Sequence, residues 1–238
     1  MRSDELMEKY DPLDYRKWDL SGQGRNIMPY LASKEMEVWN AALPFQDKRD
    51  DPGQGEVVTY FTLQLLKGIP ARREIALLAA ILHDTGWANV EDPATTHRKA
   101  VREGIVETVE YRRIHQDKGI EIAKEILSKL NYPSQYFEPI CAIIGDHDTR
   151  LKEPTIEGKV MMDADILWRF TVPNINAYLK DKPAQELLPF LEKELLKPNR
   201  FYNEIALQIA KKEIVNTMLW CFPILSEKLL ENYKKEQE

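Results

Sequence analysis

The amino-acid sequence predicts an all-α protein, folded as a single globular bundle of many helices. Three observations lead to this prediction. Apolar residues recur at steps of three and four along most of the chain, which is the period of an amphipathic helix. Only 10 of the 238 residues are glycine, and the turn signals are too widely spaced for short strands at regular intervals. Hydrophobic residues make up 43% and charged residues 30% of the chain, an ordinary balance for a globular protein.

The individual helices follow from these apolar steps and from the residues that begin or end them. Gly68 closes one helix in the position that glycine commonly takes, and Pro70 stands where the next helix starts. The segment from Ile75 to Leu82 is apolar on all sides, so we expect it in the centre of the domain. The predicted helices cover residues 33–45, 56–68, 70–82, 98–114, 115–133, 134–148, 155–170, 184–197 and 201–238, with a loop at 50–55. We expect residues 1–45 and 184–238 to wrap the middle section.

Charge and cysteine usage limit the classes of partner. The formal net charge is −6 and the pI is about 5.4, so the chain lacks the basic surface typical of nucleic-acid binding, and we expect no nucleic-acid partner. Cys141 and Cys221 each lie in an apolar run, which favours buried thiols over a disulfide. The N-terminal residues MRSDELMEKYDP contain no apolar stretch. We therefore expect no signal peptide, no membrane partner and a cytoplasmic location.

Several histidines and aspartates interrupt the apolar helices. They are His83, Asp84, His115, His147, Asp163 and Asp165. An ionised carboxylate is costly to bury unless it is paired or bound to a metal, so interruptions that converge from several helices point to a shared cation. Imidazole nitrogen combined with carboxylate oxygen suits Mn, Fe, Ni, Co or Zn, with Mg also possible. The sequence therefore predicts one or two divalent metal ions per chain.

Four segments carry a resemblance to a known family. ALLAAILHDTGW resembles the signature of the HD-domain superfamily, helical metal-dependent phosphohydrolases named after this His-Asp pair. HQDKGIEIAKEIL, ICAIIGDHDTR and KVMMDADILWRF resemble, in the same order, the later motifs of the family. The likeness covers roughly residues 50–170. It implies one helical domain with an HD-like core at about 50–172, an N-terminal extension at 1–49 and C-terminal helices at 173–238.

The resemblance also implies roles for the polar residues. His83 and Asp84 would be metal ligands, and Asp84 would be able to bridge two ions. His115 and His147 would belong to the second metal site of the two-metal branch. Asp165 would be the last metal ligand along the chain. Asp163 would contact the ligands without binding the metal itself. Asp84 and His115 are the residues we expect to take part most directly in catalysis.

The sequence departs from the family pattern at the first histidine. The family usually places this residue about thirty positions before the His-Asp pair, where Gln54 stands here and Glu56 follows. A glutamine carbonyl is a weaker ligand than imidazole, whereas Glu56 would be a strong ligand if it reached the ion. One metal site is therefore depleted, and the site built from Asp84, His115 and His147 is complete.

Three functions stay open at this point. The first is a phosphohydrolase that acts on a small phosphorylated metabolite or nucleotide through metal-activated water. The second is a catalytically impaired module that binds a ligand or partner, and the third is an HD-type di-iron oxygenase, which the missing histidine disfavours. For the first function, the candidate contacts to substrate phosphate are His97, Arg98, Lys118 and Arg150. Trp87 and Trp168, which lie next to the motifs, could wall a pocket, but tryptophans at helical spacing usually belong to the core, and no role is assigned to them.

Overall fold

The computed structural model describes residues 15–20, 24–49, 51–181, 186–197 and 200–235. These residues form α-helices joined by short 3-10 turns, without a β-strand in the described ranges, which confirms the all-α prediction. The helices are α1 Ser33–Ala42, α2 Gln54–Leu66, α3 Arg73–Leu82, α4 Pro93–Glu103, α5 Val109–Lys129, α6 Phe137–Ile144, α7 Ile156–Trp168, α8 Val172–Asp181, α9 Leu187–Leu196 and α10 Glu204–Lys235.

Helix α3 lies at the centre of the molecule. Its residues from Ile75 to Leu82 are all buried, and it contacts α1, α2, α6 and α7. Helix α2 is buried from Gln54 to Leu65 and packs against both α3 and α7. A helix that is apolar on all faces needs neighbours on every side. The central place predicted for residues 75–82 is therefore confirmed, and the His-Asp pair at the end of α3 is held inside the protein.

The region from residue 93 to residue 129 is divided differently from the prediction. The predicted helix at 98–114 is wrong, because Gly104 adopts a left-handed conformation with φ of 71° and ends α4. After a 3-10 turn, α5 begins at Val109, where the side chain of Thr108 accepts a hydrogen bond from the amide of Tyr111. His115 consequently lies in the second turn of α5 and does not open a helix. Glycine ends α4 because it adopts a positive φ at little cost.

Smaller differences concern the ends of other helices. Helix α2 begins at Gln54, inside the predicted loop, and α3 begins at Arg73, beyond Pro70. His147 lies in the turn that follows α6. Cys141 is a buried free thiol as predicted, whereas the side chain of Cys221 and residues 1–14 lie outside the described part of the chain. Among the described residues, no helix has the length and apolar character needed to cross a bilayer.

Segments at the two ends of the described chain meet. The hydroxyl of Tyr15 donates a hydrogen bond to the carboxylate of Glu213 on α10. Helix α10 also packs against α7, α8 and α9, and Thr217 donates to the carbonyl of Phe170 at 2.7 Å. These contacts close the bundle around α7, the helix that carries Asp165.

Candidate metal centre

The His-Asp pair follows directly from the end of α3. His83 is 1% exposed and Asp84 is 8% exposed, and the chain then turns into a 3-10 helix at Thr85–Asn89. Gly86 brings this turn against α5, since a Cβ atom there would lie 1.8 Å from the carbonyl oxygen of His115 and 2.4 Å from the amide of Gly119. Only glycine permits this backbone contact. It places His115 beside Asp84.

His115 and His147 meet at one oxygen of Asp84. The Nε2 atoms of the two rings lie 3.2 Å apart. Asp84 Oδ1 is 3.3 Å from Nε2 of His115 and 3.6 Å from Nε2 of His147. Ligand atoms of these three buried residues all lie within 4.8 Å of one another. The structure therefore brings together the three residues that the sequence assigned to the complete metal site.

Asp148 adds a second carboxylate to this group. Its Oδ2 atom is 3.4 Å from Nε2 of His115 and 3.9 Å from Nε2 of His147. The sequence prediction passed over Asp148, whose only signal was its place directly after His147 in the polar segment GDHDTR. On the Oδ1 side of Asp84, two imidazoles and two carboxylates therefore face one small volume.

The other oxygen of Asp84 faces donors from the protein itself. Arg49 Nη2 lies 2.5 Å from Asp84 Oδ2, and Nε2 of Gln54 lies 3.2 Å from it. The Gln54 amide is also 3.3 Å from Asp165 Oδ1 and 3.0 Å from Nε2 of His83. Asp165 Oδ1 is in turn 3.5 Å from Nε2 of His83. The Oδ2 side is therefore filled by the amide and the guanidinium.

Arg49 is the second residue that the sequence prediction overlooked. Its guanidinium pairs with Asp51 at 3.0 Å as well as with Asp84, and it lies 5.0 Å from the centroid of the Trp87 ring. In the sequence it stands among other charged residues in QDKRDD, where nothing marks it. Trp87, to which the sequence assigned no role, also stacks on His115 with the ring centroids 4.5 Å apart.

Opposite charges keep the carboxylates of this site ionised. Burial opposes ionisation, but the guanidinium of Arg49 holds the pKa of Asp84 well below its usual range. The neighbouring histidines lower the pKa of Asp148 against the same effect of burial, and the hydrogen bond with His83 lowers the pKa of Asp165. Three carboxylates are therefore ionised at neutral pH and available as ligands, while Arg49 and the neighbouring histidines already supply part of the opposite charge.

The histidines differ in their affinity for protons. Burial lowers the pKa of His115 to about 3, because the charged ring loses its hydration. For His83 the charge of Asp84 and the contact with Asp165 outweigh burial and raise the pKa to about 9. The neighbouring carboxylates likewise raise the pKa of His147 in spite of burial. A cation that binds His147 must therefore displace a proton, whereas His115 is already neutral.

The donor set fits a divalent transition metal. Nδ1 of His147 lies 2.7 Å from the carbonyl of Ile144, so in the neutral ring Nδ1 donates and the lone pair of Nε2 faces the cluster. Metal-binding histidines commonly donate their other nitrogen in this way. Nδ1 of His115 is buried and has no partner among the described residues. Two imidazoles with carboxylate oxygens suit Mn, Fe, Ni, Co or Zn better than Mg.

Two candidate residues point away from the cluster. The carboxylate of Glu56 accepts hydrogen bonds from the backbone of Asn26 and Ile27, at 2.8 Å and 3.3 Å. It holds the N-terminal segment and does not reach the site. Asp163 was expected to support the ligands, and this is wrong. Its oxygens accept from the amides of Tyr202 and Asn203, at 2.8 Å and 2.9 Å, before the start of α10.

The residues predicted to contact substrate phosphate lie in different parts of the structure and do not form one group. His97 lies on α4, with Nδ1 2.7 Å from the hydroxyl of Tyr111, and burial lowers its pKa to about 4. Arg98 is exposed and donates to Thr95. Lys118 donates to the carbonyl of Asn89.

Arg150 is the third residue after His147, just as Lys118 is the third residue after His115. Its guanidinium lies 5.3 Å from the centroid of the Tyr202 ring. Trp168 is buried, as tryptophans at helical spacing usually are, with 7% exposure.

The comparison with protein families identifies the segment that carries the cluster. Residues 57–169 match the family model described as HD domain. This range contains His83, Asp84, His115, His147 and Asp165, whereas Arg49 and Gln54 lie before it. Neither the curated proteins nor the solved structures contain a significant match to the chain. Residues 57–169, which carry the cluster, therefore match an HD domain, and this match is consistent with the HD-domain superfamily.

Proposed function

We propose that this protein is a metal-dependent phosphohydrolase that acts on a small phosphorylated metabolite or nucleotide. HD domains are generally metal-dependent hydrolases, and this one has a possible metal site. The observation that carries the proposal is the convergence of Asp84 Oδ1, His115 and His147 within 4.8 Å. Two imidazoles and a carboxylate that are buried together in this way have no evident structural role. They are well suited to hold a cation.

The chain's own residues divide the work at this site. Asp84, His115 and His147 would hold a divalent cation, with Asp148 as a further oxygen ligand. When bound, such a cation lowers the pKa of a water molecule and polarises a phosphoryl oxygen. Trp87 stacks on His115 and fixes its ring, while Arg49 supplies a fixed positive charge beside the same carboxylate. Arginine is well suited to contact phosphoryl oxygens through two donors.

We further propose that the site holds one cation on the Oδ1 side of Asp84. On the Oδ2 side, the Gln54 amide lies within hydrogen-bonding distance of both carboxylates and of His83. Arg49 supplies a positive charge on that side without a metal. His83 and Asp165 would then position the Gln54 amide, and Asp165 would balance part of the charge of Arg49, although the sequence pattern assigned both residues as ligands.

Metal content and phosphate release test the proposal together. The purified protein, loaded with Mn²⁺ and freed of excess metal, should retain about one ion per chain. It should then release phosphate from a panel of nucleotides and phosphomonoesters. Asp84→Asn should lose both properties, because it removes the charge that holds the ion. Asp117→Asn, the same change on an exposed residue of α5, should leave both unchanged. Phosphate release that continues in Asp84→Asn would refute the assignment.

A binding module without turnover is the second candidate. The Arg49–Asp84 ion pair favours it, because a carboxylate neutralised by arginine attracts a cation less strongly. In that case the protein would retain an ion or a phosphorylated ligand, and no member of the panel would release phosphate. Arg49→Gln separates the two functions. For a hydrolase the variant loses activity, whereas for a binding module it gains affinity for the metal.

A further inference from the structure

A second group of cationic side chains lies close to the metal centre. We call Arg150, Arg169 and Arg200 the arginine corner. Arg169 and Arg200 both approach the carboxylate of Glu194 on α9, Arg169 at 3.7 Å. Nη1 of Arg150 donates to the backbone carbonyl of Arg200 at 3.4 Å. Residues from three separate parts of the chain therefore meet at this point.

The arginine corner has more positive than negative charge. Within the described part of the chain, Glu194 is the only acid at ion-pairing distance from any of the three arginines, and Lys197 pairs with it as well at 2.6 Å. The buried carboxylate of Glu194 therefore serves Arg169, Arg200 and Lys197. Arg150 has no acid at ion-pairing distance in the described structure and interacts with Asp163 only at longer range. Cations gathered without matching acids repel one another, and this cost is offset when an anion binds between them.

Arg200 provides a second, independent indication of a ligand-binding site. Its side chain is 14% exposed, and its Nε–H is buried with no hydrogen-bond partner in the described structure. A buried donor without a partner is costly, so such groups usually bind water, an ion or a ligand. Burial and the charge of Arg169 also lower the pKa of Arg200 to about 10, as expected for a guanidinium with too little countercharge.

The chain places this corner beside the metal centre. Arg150 is the third residue after His147. Arg169 follows Asp165 by four residues at the end of α7, so the two share a helix face and lie about 6 Å apart along its axis. Asp165 lies close enough to Arg200 to affect its pKa. A ligand with one end at the metal centre would need to extend only a short way to reach the arginines.

We propose that the arginine corner binds a second phosphoryl group of the substrate. The substrate would then be a compound with at least two linked phosphoryl groups, such as a nucleoside diphosphate or triphosphate. This inference rests on the proposed function, since it places the first phosphoryl group at the metal centre. The planar guanidinium of arginine can donate two parallel hydrogen bonds to two oxygens of one phosphoryl group. A monophosphate would leave the corner empty and gain nothing from it.

Binding of a diphosphate that cannot be hydrolysed tests the inference. Calorimetry on the full-length protein with Mn²⁺ would compare inorganic phosphate with imidodiphosphate, whose bridging nitrogen resists hydrolysis. We expect imidodiphosphate to bind at least 30-fold more tightly than phosphate. Arg200→Gln should lower the affinity for imidodiphosphate at least tenfold, and it should leave the affinity for phosphate and the metal content unchanged. Arg169→Gln, which alters a more exposed side chain, should act in the same direction if Arg200→Gln folds poorly.

Arg102→Gln is the matched control, because Arg102 is an exposed residue of α4 that has no assigned role in substrate binding. It should change neither affinity. Equal affinity for phosphate and imidodiphosphate in the wild type would overturn the inference. So would an equal loss of both affinities in Arg169→Gln. If the protein retains no metal, the proposed function fails by itself, and imidodiphosphate binding that depends on Arg169 and Arg200 would still support the arginine corner.

Discussion

Replacement of Gly86 by alanine should damage both the fold and the metal centre. The added Cβ would lie 1.8 Å from the carbonyl oxygen of His115, 2.8 Å from its carbonyl carbon and 2.4 Å from the amide nitrogen of Gly119. All three atoms belong to the backbone of α5, so no side-chain rotation relieves the overlap. An ordinary contact of about 3.4 Å requires the turn and the helix to separate by about 1.6 Å. His115 would move away from Asp84 by a similar distance.

The magnitude follows from this displacement. Overpacking a well-packed interior costs about 1–3 kcal/mol, and a clash with rigid backbone belongs at the upper end, so we expect a loss of about 3 kcal/mol in the free energy of unfolding. Metal sites tolerate deviations of only about 0.2 Å in ligand distance. Nε2 of His115 is 3.3 Å from Asp84 Oδ1 in the native cluster. A shift of more than 1 Å should therefore weaken Mn²⁺ binding at least 100-fold.

Urea denaturation and Mn²⁺ titration measure the two effects. Gly104→Ala is the control, because a Cβ at Gly104 meets no atom within 4 Å and the cost arises only from its φ of 71°. It should lose about 1 kcal/mol of stability and retain native metal affinity. If Gly86→Ala binds Mn²⁺ as tightly as the wild type, close packing of this turn does not position His115, and the reasoning is refuted.

Three further predictions concern the metal and the helix ends. Because His147 has a raised pKa, protons compete with the cation for its ring. The affinity for Mn²⁺ should therefore increase with pH by up to about tenfold per unit until the ring is neutral. Calorimetry at pH 6, 7 and 8 measures this affinity, and an affinity independent of pH would contradict the prediction. Asp163→Ala should lose about 2–3 kcal/mol in urea denaturation, because the amides of Tyr202 and Asn203 lose a charged acceptor, with unchanged metal content. Gln54→His should raise bound Mn²⁺ from one towards two ions per chain by elemental analysis, and two ions already present in the wild type would disprove the single-ion site.

Much of the fold was open to prediction because it depends on local patterns. The apolar run from Ile75 to Leu82 identifies a central helix, since no face of it tolerates water. The error in the region that contains α4 and α5 has a local cause too. Glycine is tolerated inside some helices and ends others, and the apolar period on both sides of Gly104 did not show which applied.

The site was predicted in part, and the missing residues have a common character. His115 and His147 are conspicuous because polar residues are rare in buried helices. Arg49 and Asp148 are not, since each stands among other charged residues in a segment that looks like ordinary surface. Glu56 and Asp163 had the right chemistry in the right segments. Their carboxylates instead hold the backbone of distant segments.

The order of residues along the chain is enough to predict an all-helical protein with candidate metal ligands in or beside buried helices, because helical period and the cost of burying charge are local properties. Which oxygen of Asp84 meets the imidazoles, and which meets Arg49 and Gln54, was decided by the packing of α2, α3 and α5 and of the segment before α2. Side-chain directions depend on how helices approach one another, as at Gly86, and separations of 30 to 63 residues between Asp84 and its partners carry no information about that approach.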